Sequence, residues 1–496
     1  MANTSSDSVS VISRHTVLSA EESSWKALAS PFRLGSFDQV AGFVPIQVVW
    51  VYAQPSSNIE LIPVERLRRA LELLLDHYPQ LTGRLHVKST DGTREIIHLG
   101  TGAELVEAQC SERLDAFSSP NSTSPASRRI LMQDLPAAGN ALLAPFDPTP
   151  EGACGAPILA VQRTRFECGS VALGVRVHHT VSDGLGFFQL ARDLAELYRG
   201  LESSENRDPV PFRPPHIRPY MSELVGGNIE PEERQAALDF QPPLFHAEPP
   251  ASTTVIDPSS VTIYPPPPYP VEGRFVRFSS ARLAALKAQA TDPNGAGWIS
   301  TFDALSAYIY QRVHQARLRL SARDPNFGAL SPTDFLTPVD LRSRLGLPAR
   351  YFPNALFASH TTIPPDVLAT GPLWQIAKAV HDLTRSSFLS SKDEIDRSLK
   401  WIAAQQDTRK IDEHFRYGNG SFMLSQWNKF DMYAGSVFDV APVLASPPFT
   451  QSSLVDGLVY LLPTEEIATG GDAGAIDVSL SLITPIWAVI EEEGPL

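Results

Sequence analysis

Val171-Ala172-Leu173-Gly174-Val175-Arg176-Val177-His178-His179-Thr180-Val181-Ser182-Asp183-Gly184-Leu185-Gly186 sets the architecture of this chain. Val171, Leu173, Val175 and Val177 alternate with smaller or polar residues, the period of a strand with one face on a core. Two histidines therefore arrive at a strand's end. Gly184 and Gly186 bracket a tight exit, and Phe187, Leu190, Leu194 and Leu197 follow at helical spacing until Gly200 offers a stop. Histidine is the side chain whose ordinary pKa lies near neutrality. An imidazole on a rigid strand end can therefore take a proton from a hydroxyl or an amine.

The run His178-His179-Thr180-Val181-Ser182-Asp183-Gly184 resembles the His-His-x-x-x-Asp-Gly signature of the chloramphenicol-acetyltransferase-like superfamily. That superfamily includes the coenzyme A-dependent BAHD acyltransferases and the condensation domains of nonribosomal peptide synthetases. The resemblance implies that His179 is the general base, with His178 and Gly184 in support, and that Asp183 is a structural residue turned away from the substrate. The alternative is a satisfied histidine pair followed by a capping aspartate. The doubled histidine, the glycine and the flanking strand and helix together weigh against it.

At 496 residues the chain exceeds the size at which one hydrophobic core keeps growing, so two domains are expected. A formal net charge of -14 argues against a nucleic-acid partner, which requires a basic surface. Cys110, Cys154 and Cys168 can form no closed disulfide framework and have no metal-ligand spacing, so no metal is expected and a reducing compartment fits. Met1 to Ser10 lacks a basic start and an apolar run, and Val40 to Ala53 is too short to span a bilayer. The expectation is a soluble, cytoplasmic monomer with no membrane partner.

Residues 1 to about 30 read as a polar lead-in. Ile46 to Tyr52 reads as a buried strand, and Leu67, Leu71, Leu74 and Leu75 make an apolar helical stripe after Pro63. Tyr78-Pro79-Gln80-Leu81-Thr82-Gly83-Arg84-Leu85 resembles a BAHD segment, as does Ser36-Phe37-Asp38 with Phe in place of Leu. Ile158 to Phe166 and Ser170 to Val177 form a hairpin through Glu167-Cys168-Gly169 that delivers the histidines. Prolines from Pro209 to Pro268 leave little room for regular structure, so residues 206–270 read as a crossover between an N-terminal domain, 1–205, and a C-terminal domain, 271–496.

In the second half, Ser279 or Ser280 can cap a helix, and Ser300-Thr301-Phe302-Asp303 opens another. That start, Val339-Asp340-Leu341-Arg342 and Tyr351-Phe352-Pro353-Asn354 are similar to segments of fungal BAHD enzymes, with Pro353 where the family has Gly. Residues 371 to about 415 read as one or two helices. Phe422 to Trp427, Leu458 to Leu462 and Ala475 to Leu482 read as strands, and Thr484-Pro485 starts a last helix whose Glu491, Glu492 and Glu493 form a frayed, solvated tail. The family's second signature, Asp-Phe-Gly-Trp-Gly, is degraded. Its counterpart is Asp431-Met432-Tyr433-Ala434-Gly435 or, aligned on the following proline, Ser436 to Pro442.

The resemblance implies a mixed α/β fold of two similar domains with a channel between them, entered by donor and acceptor from opposite faces. It implies acyl transfer from acyl coenzyme A, acetyl by default, to a small-molecule alcohol or amine of secondary metabolism. A thioester needs no covalent enzyme intermediate, and no Ser or Cys nucleophile elbow is present. Arg342 is the expected partner of Asp183, and Ser425, near Trp427, the candidate donor to the oxyanion. Ser280 and Lys287 lie where the family binds coenzyme A; an ordinary cap and a solvated lysine are the alternative. Two competing functions stay open: a condensation-type enzyme taking its acyl group from a carrier protein, and a non-catalytic relative that binds a small molecule.

Overall fold

The computed structural model describes residues 8–55, 59–118, 129–201, 212–227, 229–247, 269–295, 297–494 and 496. The first half contributes strands β1 (Val9–Val17), β2 (Pro45–Tyr52), β3 (Ala103–Cys110), β4 (Leu159–Phe166) and β5 (Val171–His178). From the second half come β6 (Val271–Phe278), β7 (Asp334–Asp340), β8 (Leu356–Thr362), β9 (Phe422–Gln426), β10 (Leu444–Ser446), β11 (Leu458–Pro463) and β12 (Ile476–Ile483). They assemble into two six-stranded mixed sheets, ordered β1-β3-β4-β5-β2-β10 and β6-β12-β11-β9-β7-β8. This is the two-sheet α/β architecture expected from the sequence.

β5 is interior and antiparallel to both neighbours, with Val175 opposite Val48 on one side and Val161 on the other. All eight of its residues are buried, so even the positions between the valines pack. The turn that delivers it is the expected hairpin, with Gly169 at φ +87°, a conformation glycine adopts without steric cost. After the histidines, Asp183 caps the helix Gly184–Gly200, whose Phe187, Leu190 and Leu194 are buried against the first sheet. The helix Val64–His77 packs beside it through Leu67, Leu71, Leu74 and Leu75.

In the second half a 23-residue helix, Thr301–Arg323, forms the spine. A reciprocal cap starts it: the Ser300 amide donates to the Asp303 carboxylate at 2.7 Å, and the Asp303 amide to the Ser300 hydroxyl at 3.1 Å. Its Leu305, Ile309 and Val313 are buried among Phe278, Leu480 and Trp487.

Several expectations are corrected. The N-terminal lead-in contains β1 and a short helix, Glu22–Lys26. β1 is an edge strand whose Val11 and Ile12 are exposed, so burial left no strong alternation to read. The proline-rich stretch carries a helix, Pro231–Leu238, and a strand, Phe245–Ala247, that pairs with Ile411–Glu413. Tyr264 to Pro268 lie outside the described residues. Residues 371–415 form three helices, Leu373–Thr384, Ser387–Ser390 and Lys392–Ala404. The C-terminal glutamates are paired: Glu491 with Arg274, Glu492 with Arg323 and Glu493 with Arg319. Opposed to their own helix dipole, they are held by cations of neighbouring elements. Finally, β10 leaves the second half and pairs antiparallel with β2 at the edge of the first sheet.

Candidate active site

His178 and His179 follow each other at the end of β5, and the strand's alternation sends their rings to different places. His178 is 2 % exposed, its Nδ1 accepting from the Thr180 amide at 3.2 Å and its ring edge-on to Phe43 at 4.8 Å. Burial, with Arg94, His179 and Arg176 nearby, holds its pKa well below the usual value, so it stays neutral. His179 lines a cavity of about 490 Å³ between the two halves. Its backbone is pinned: the amide donates to Val44 at 2.9 Å, and its carbonyl accepts from the Asn354 side chain at 2.9 Å. Its Nδ1 is buried without a well-formed hydrogen bond. Burial lowers the His179 pKa, partly offset by its own carbonyl, Asp183 and Asn354. The ring is therefore neutral at pH 7 and able to accept a proton.

Asp183 is 1 % exposed and does not touch His179's ring. One carboxylate oxygen accepts from the Leu185 and Gly186 amides at 3.1 and 3.2 Å and from Arg342 at 2.9 Å; the other accepts from the Ala355 amide at 3.0 Å. Its charge and lone pairs are consumed in capping a helix and joining the halves. Arg342 is equally committed, donating also to Asp340, Pro353 and Tyr351. The expected Asp183–Arg342 pair is thus present. Gly184 lines the cavity at the helix start, where a methyl group would stand 3.1 Å from the Phe430 ring. Ser425, on β9 opposite Tyr460, lines the same cavity.

The two residues expected near a coenzyme are not brought to this cavity. Ser279, not Ser280, caps the helix Ser280–Gln289, and the Ser280 amide donates to the Asp472 carboxylate at 2.8 Å. Lys287 sits with its ammonium 5.5 Å from the Trp298 ring. Neither residue reaches His179.

Asn354 and Asp38 were legible only as pieces of motifs. Here the Asn354 amide bridges the Asp38 carboxylate, at 2.8 Å, and the His179 carbonyl. Burial pushes Asp38 up to about 7, against its bonds from Asn354 and the Gly35 amide. Their sequence separation hides this pair from any local pattern. Glu413 and Lys429 also line the cavity, and no spacing or motif marks either. Among the described residues, no group of three or more His, Cys, Asp or Glu is placed to hold a metal ion, and no helix is long and apolar enough to cross a membrane.

The fold is similar to vinorine synthase, with a TM-score of 0.66 at 17 % identity over 97 % of both chains. It is also similar to TRI101 of F. graminearum complexed with coenzyme A and T-2 mycotoxin, with a TM-score of 0.65 at 18 % identity over 94 % of this chain and 97 % of that one. At such identities the likeness speaks for fold alone. In sequence the chain is 28 % identical over 429 residues to hydroxycinnamoyltransferase 2 of Oryza sativa subsp. japonica, covering 84 % of each. A family model described as the transferase family matches residues 7–494, nearly the whole chain, and so this protein belongs to that family, the BAHD acyltransferases.

Proposed function

We propose that this enzyme transfers an acyl group, acetyl by default, from coenzyme A to a hydroxyl of a small secondary metabolite, with His179 as the general base. The observation that carries the reading is the contrast between the motif's two functional side chains. His179 presents a neutral ring to the cavity between the halves, while Asp183 is held by four donors and leaves the ring to act alone.

In the proposed reaction His179 Nε2 takes the proton of the acceptor hydroxyl as its oxygen attacks the thioester carbonyl. The C–O bond forms, the C–S bond breaks, and the proton passes from the imidazolium to the departing thiolate, giving ester and free coenzyme A. General base catalysis of this kind is worth about 10² to 10⁴ in rate. Ser425, which lines the cavity, is proposed to donate to the carbonyl oxygen as it gains charge. An amine acceptor would follow the same steps.

The largely apolar lining suits an acyl group and a pantetheine arm. The exposed ammonium of Lys429, which makes no ion pair among the described residues, suits an anionic group at the rim. Ser280 and Lys287, outside the cavity, are proposed only for the coenzyme's nucleotide end. A cytosolic monomer completes the proposal.

The test is thiol release from acetyl coenzyme A, wild type beside His179→Ala, with and without an alcohol acceptor. We expect slow release that an acceptor accelerates and a loss of about 10² to 10⁴ in the variant. A variant as fast as wild type would remove the base from His179, and a wild type that never consumes the thioester would remove coenzyme A as donor.

A further inference from the structure

The charged residues of the cavity fall into two sets. Asp183, Asp340 and Arg342 are tied together, Arg342 bridging both carboxylates and leaving one negative charge over. Glu413 and Lys429 line the cavity without a side-chain hydrogen bond or ion pair among the described residues. Lys429 is exposed and solvated, whereas Glu413 is half-buried.

Glu413 closes the strand Ile411–Glu413, directly opposite Phe245 of the strand Phe245–Ala247. Phe245 packs edge-on to Phe357 at 5.4 Å, and Phe357 meets Phe37 of the first half at 5.1 Å. All three rings line the cavity, together with Leu336 and Pro338 of β7. A carboxylate with no partner has therefore been placed beside an aromatic wall shared by both halves. Withdrawing such a group from water without a compensating donor is unfavourable. The desolvation is felt in its titration: burial, with a contribution from Asp412, pushes Glu413 up to about 7. A group kept at that disadvantage inside a substrate cavity is a candidate for function.

Resting on the acyl-transfer reading above, we infer that Glu413 recognises the acceptor: it receives a hydrogen-bond donor, a hydroxyl or a protonated amine, that the acceptor carries away from the group being acylated. The donor substrate is an unsuitable occupant, because coenzyme A is polyanionic and would meet a like charge wherever Glu413 is ionised, above about pH 7. The aromatic wall beside Glu413 supplies the other half of the recognition. The acceptor class is then an amphipathic ring compound with a second polar donor.

The test uses the full chain, acetyl coenzyme A and three probes on one skeleton: a decalin mono-ol, a decalin diol and an amino-decalinol. Wild type is compared with Glu413→Leu and Glu413→Gln, thermal melting verifying that each variant folds. We expect Glu413→Leu to raise the KM of the diol and amino alcohol about tenfold or more, the scale of a lost hydrogen bond to a charged group. Its kcat and the KM for acetyl coenzyme A should move less than about threefold, and the mono-ol's KM should not change. Glu413→Gln keeps an acceptor oxygen but no charge. It should spare the diol if the natural donor is a hydroxyl, and be as damaging as Leu if it is an ammonium. Equal effects on all three probes, no effect on any, or a change confined to the KM of acetyl coenzyme A would overturn the assignment while leaving acyl transfer intact. If Glu413→Leu does not fold, Glu413→Gln with the amino alcohol alone decides. Absence of transfer by wild type to any probe would instead strike the underlying reading, and the inference with it.

Discussion

His179 and Asp183 stand four residues apart and do different work because of what surrounds them. A strand end turns the imidazole into the cavity, and a helix N-terminus, an arginine and a backbone amide absorb the carboxylate. The environment also sets the sign of the pH dependence. Burial favours the neutral ring, so the folded pKa of His179 lies below its ordinary 6.5, and the base stays competent at pH values where a free histidine is already protonated. With acceptor saturating, so that Glu413 does not contribute through binding, the acid limb of kcat/KM for the thioester should fall below pH 6.5. A limb above 6.5 would mean that the rate-controlling group is not this imidazole. Stability follows the same sign. His178, His179 and His314 all have depressed folded pKa values, His314 at about 4, so the unfolded chain binds more protons just below 6.5. Their contribution is present above 6.5 and declines as pH falls through that value toward the folded pKa values.

At the scale of elements, the start of the helix Gly184–Gly200 decides how the halves meet. A methyl group on Gly186 would stand 2.1 Å from the Phe352 carbonyl and 2.2 Å from the Ser182 hydroxyl, and that hydroxyl itself donates to Phe352 at 2.7 Å. Backbone cannot yield there as a flexible side chain could. Gly186→Ala should cost about 1–3 kcal/mol in urea unfolding and lower kcat as well, because the displaced segment carries Asn354, the anchor of the His179 carbonyl. An alanine variant equal to wild type in both measurements would show that this approach is slack. The contact explains what was legible in the sequence and what was not. β4, β5 and the helix after them are long, periodic and bounded by glycine, so each shows its buried face locally. β1 is an edge strand whose adjacent Val11 and Ile12 are both exposed, and β10 is only three residues long, so neither shows a periodic signal. Within the site, His179, Asp183 and Arg342 were marked by motifs, whereas Asn354 and Asp38 acquire their roles only by meeting across 316 residues. Glu413 is a single acidic residue at a strand end, and only its placement beside Phe245 gives it meaning.

The whole molecule is less divisible than two sheets joined by a crossover would be. The segment that replaces the family's second signature folds over the first half. Trp50 donates to the Met432 carbonyl at 2.8 Å, Tyr52 to that of Ser436 at 2.9 Å, and Asp439 accepts from the Tyr198 hydroxyl at 2.9 Å and the Ile62 amide at 2.6 Å. With Tyr433 and Ala434 where the family has Gly and Trp, the tie is made by polar bonds from buried aromatics. β10 then completes the first sheet, placing Ser446 opposite Val49 and Leu444 opposite Val51. Cutting the chain between residues 247 and 269 therefore does more than separate two finished halves. Residues 1–247 alone would keep β2 as an unpaired edge between buried Val49 and Val51, with Trp50 and Tyr52 missing their acceptors. Each orphaned buried donor costs about 1–3 kcal/mol, and an exposed apolar edge invites pairing with other chains. Against a total stability of about 5–15 kcal/mol for a typical domain, the loss is decisive. The N-terminal fragment expressed alone should aggregate or melt without a cooperative transition. Co-expression with residues 269–496 should return a soluble heterodimer that melts as one unit. A soluble N-terminal fragment with a sharp transition of its own would mean that β10 decorates a finished domain, and the two halves could then be exchanged between relatives as independent modules.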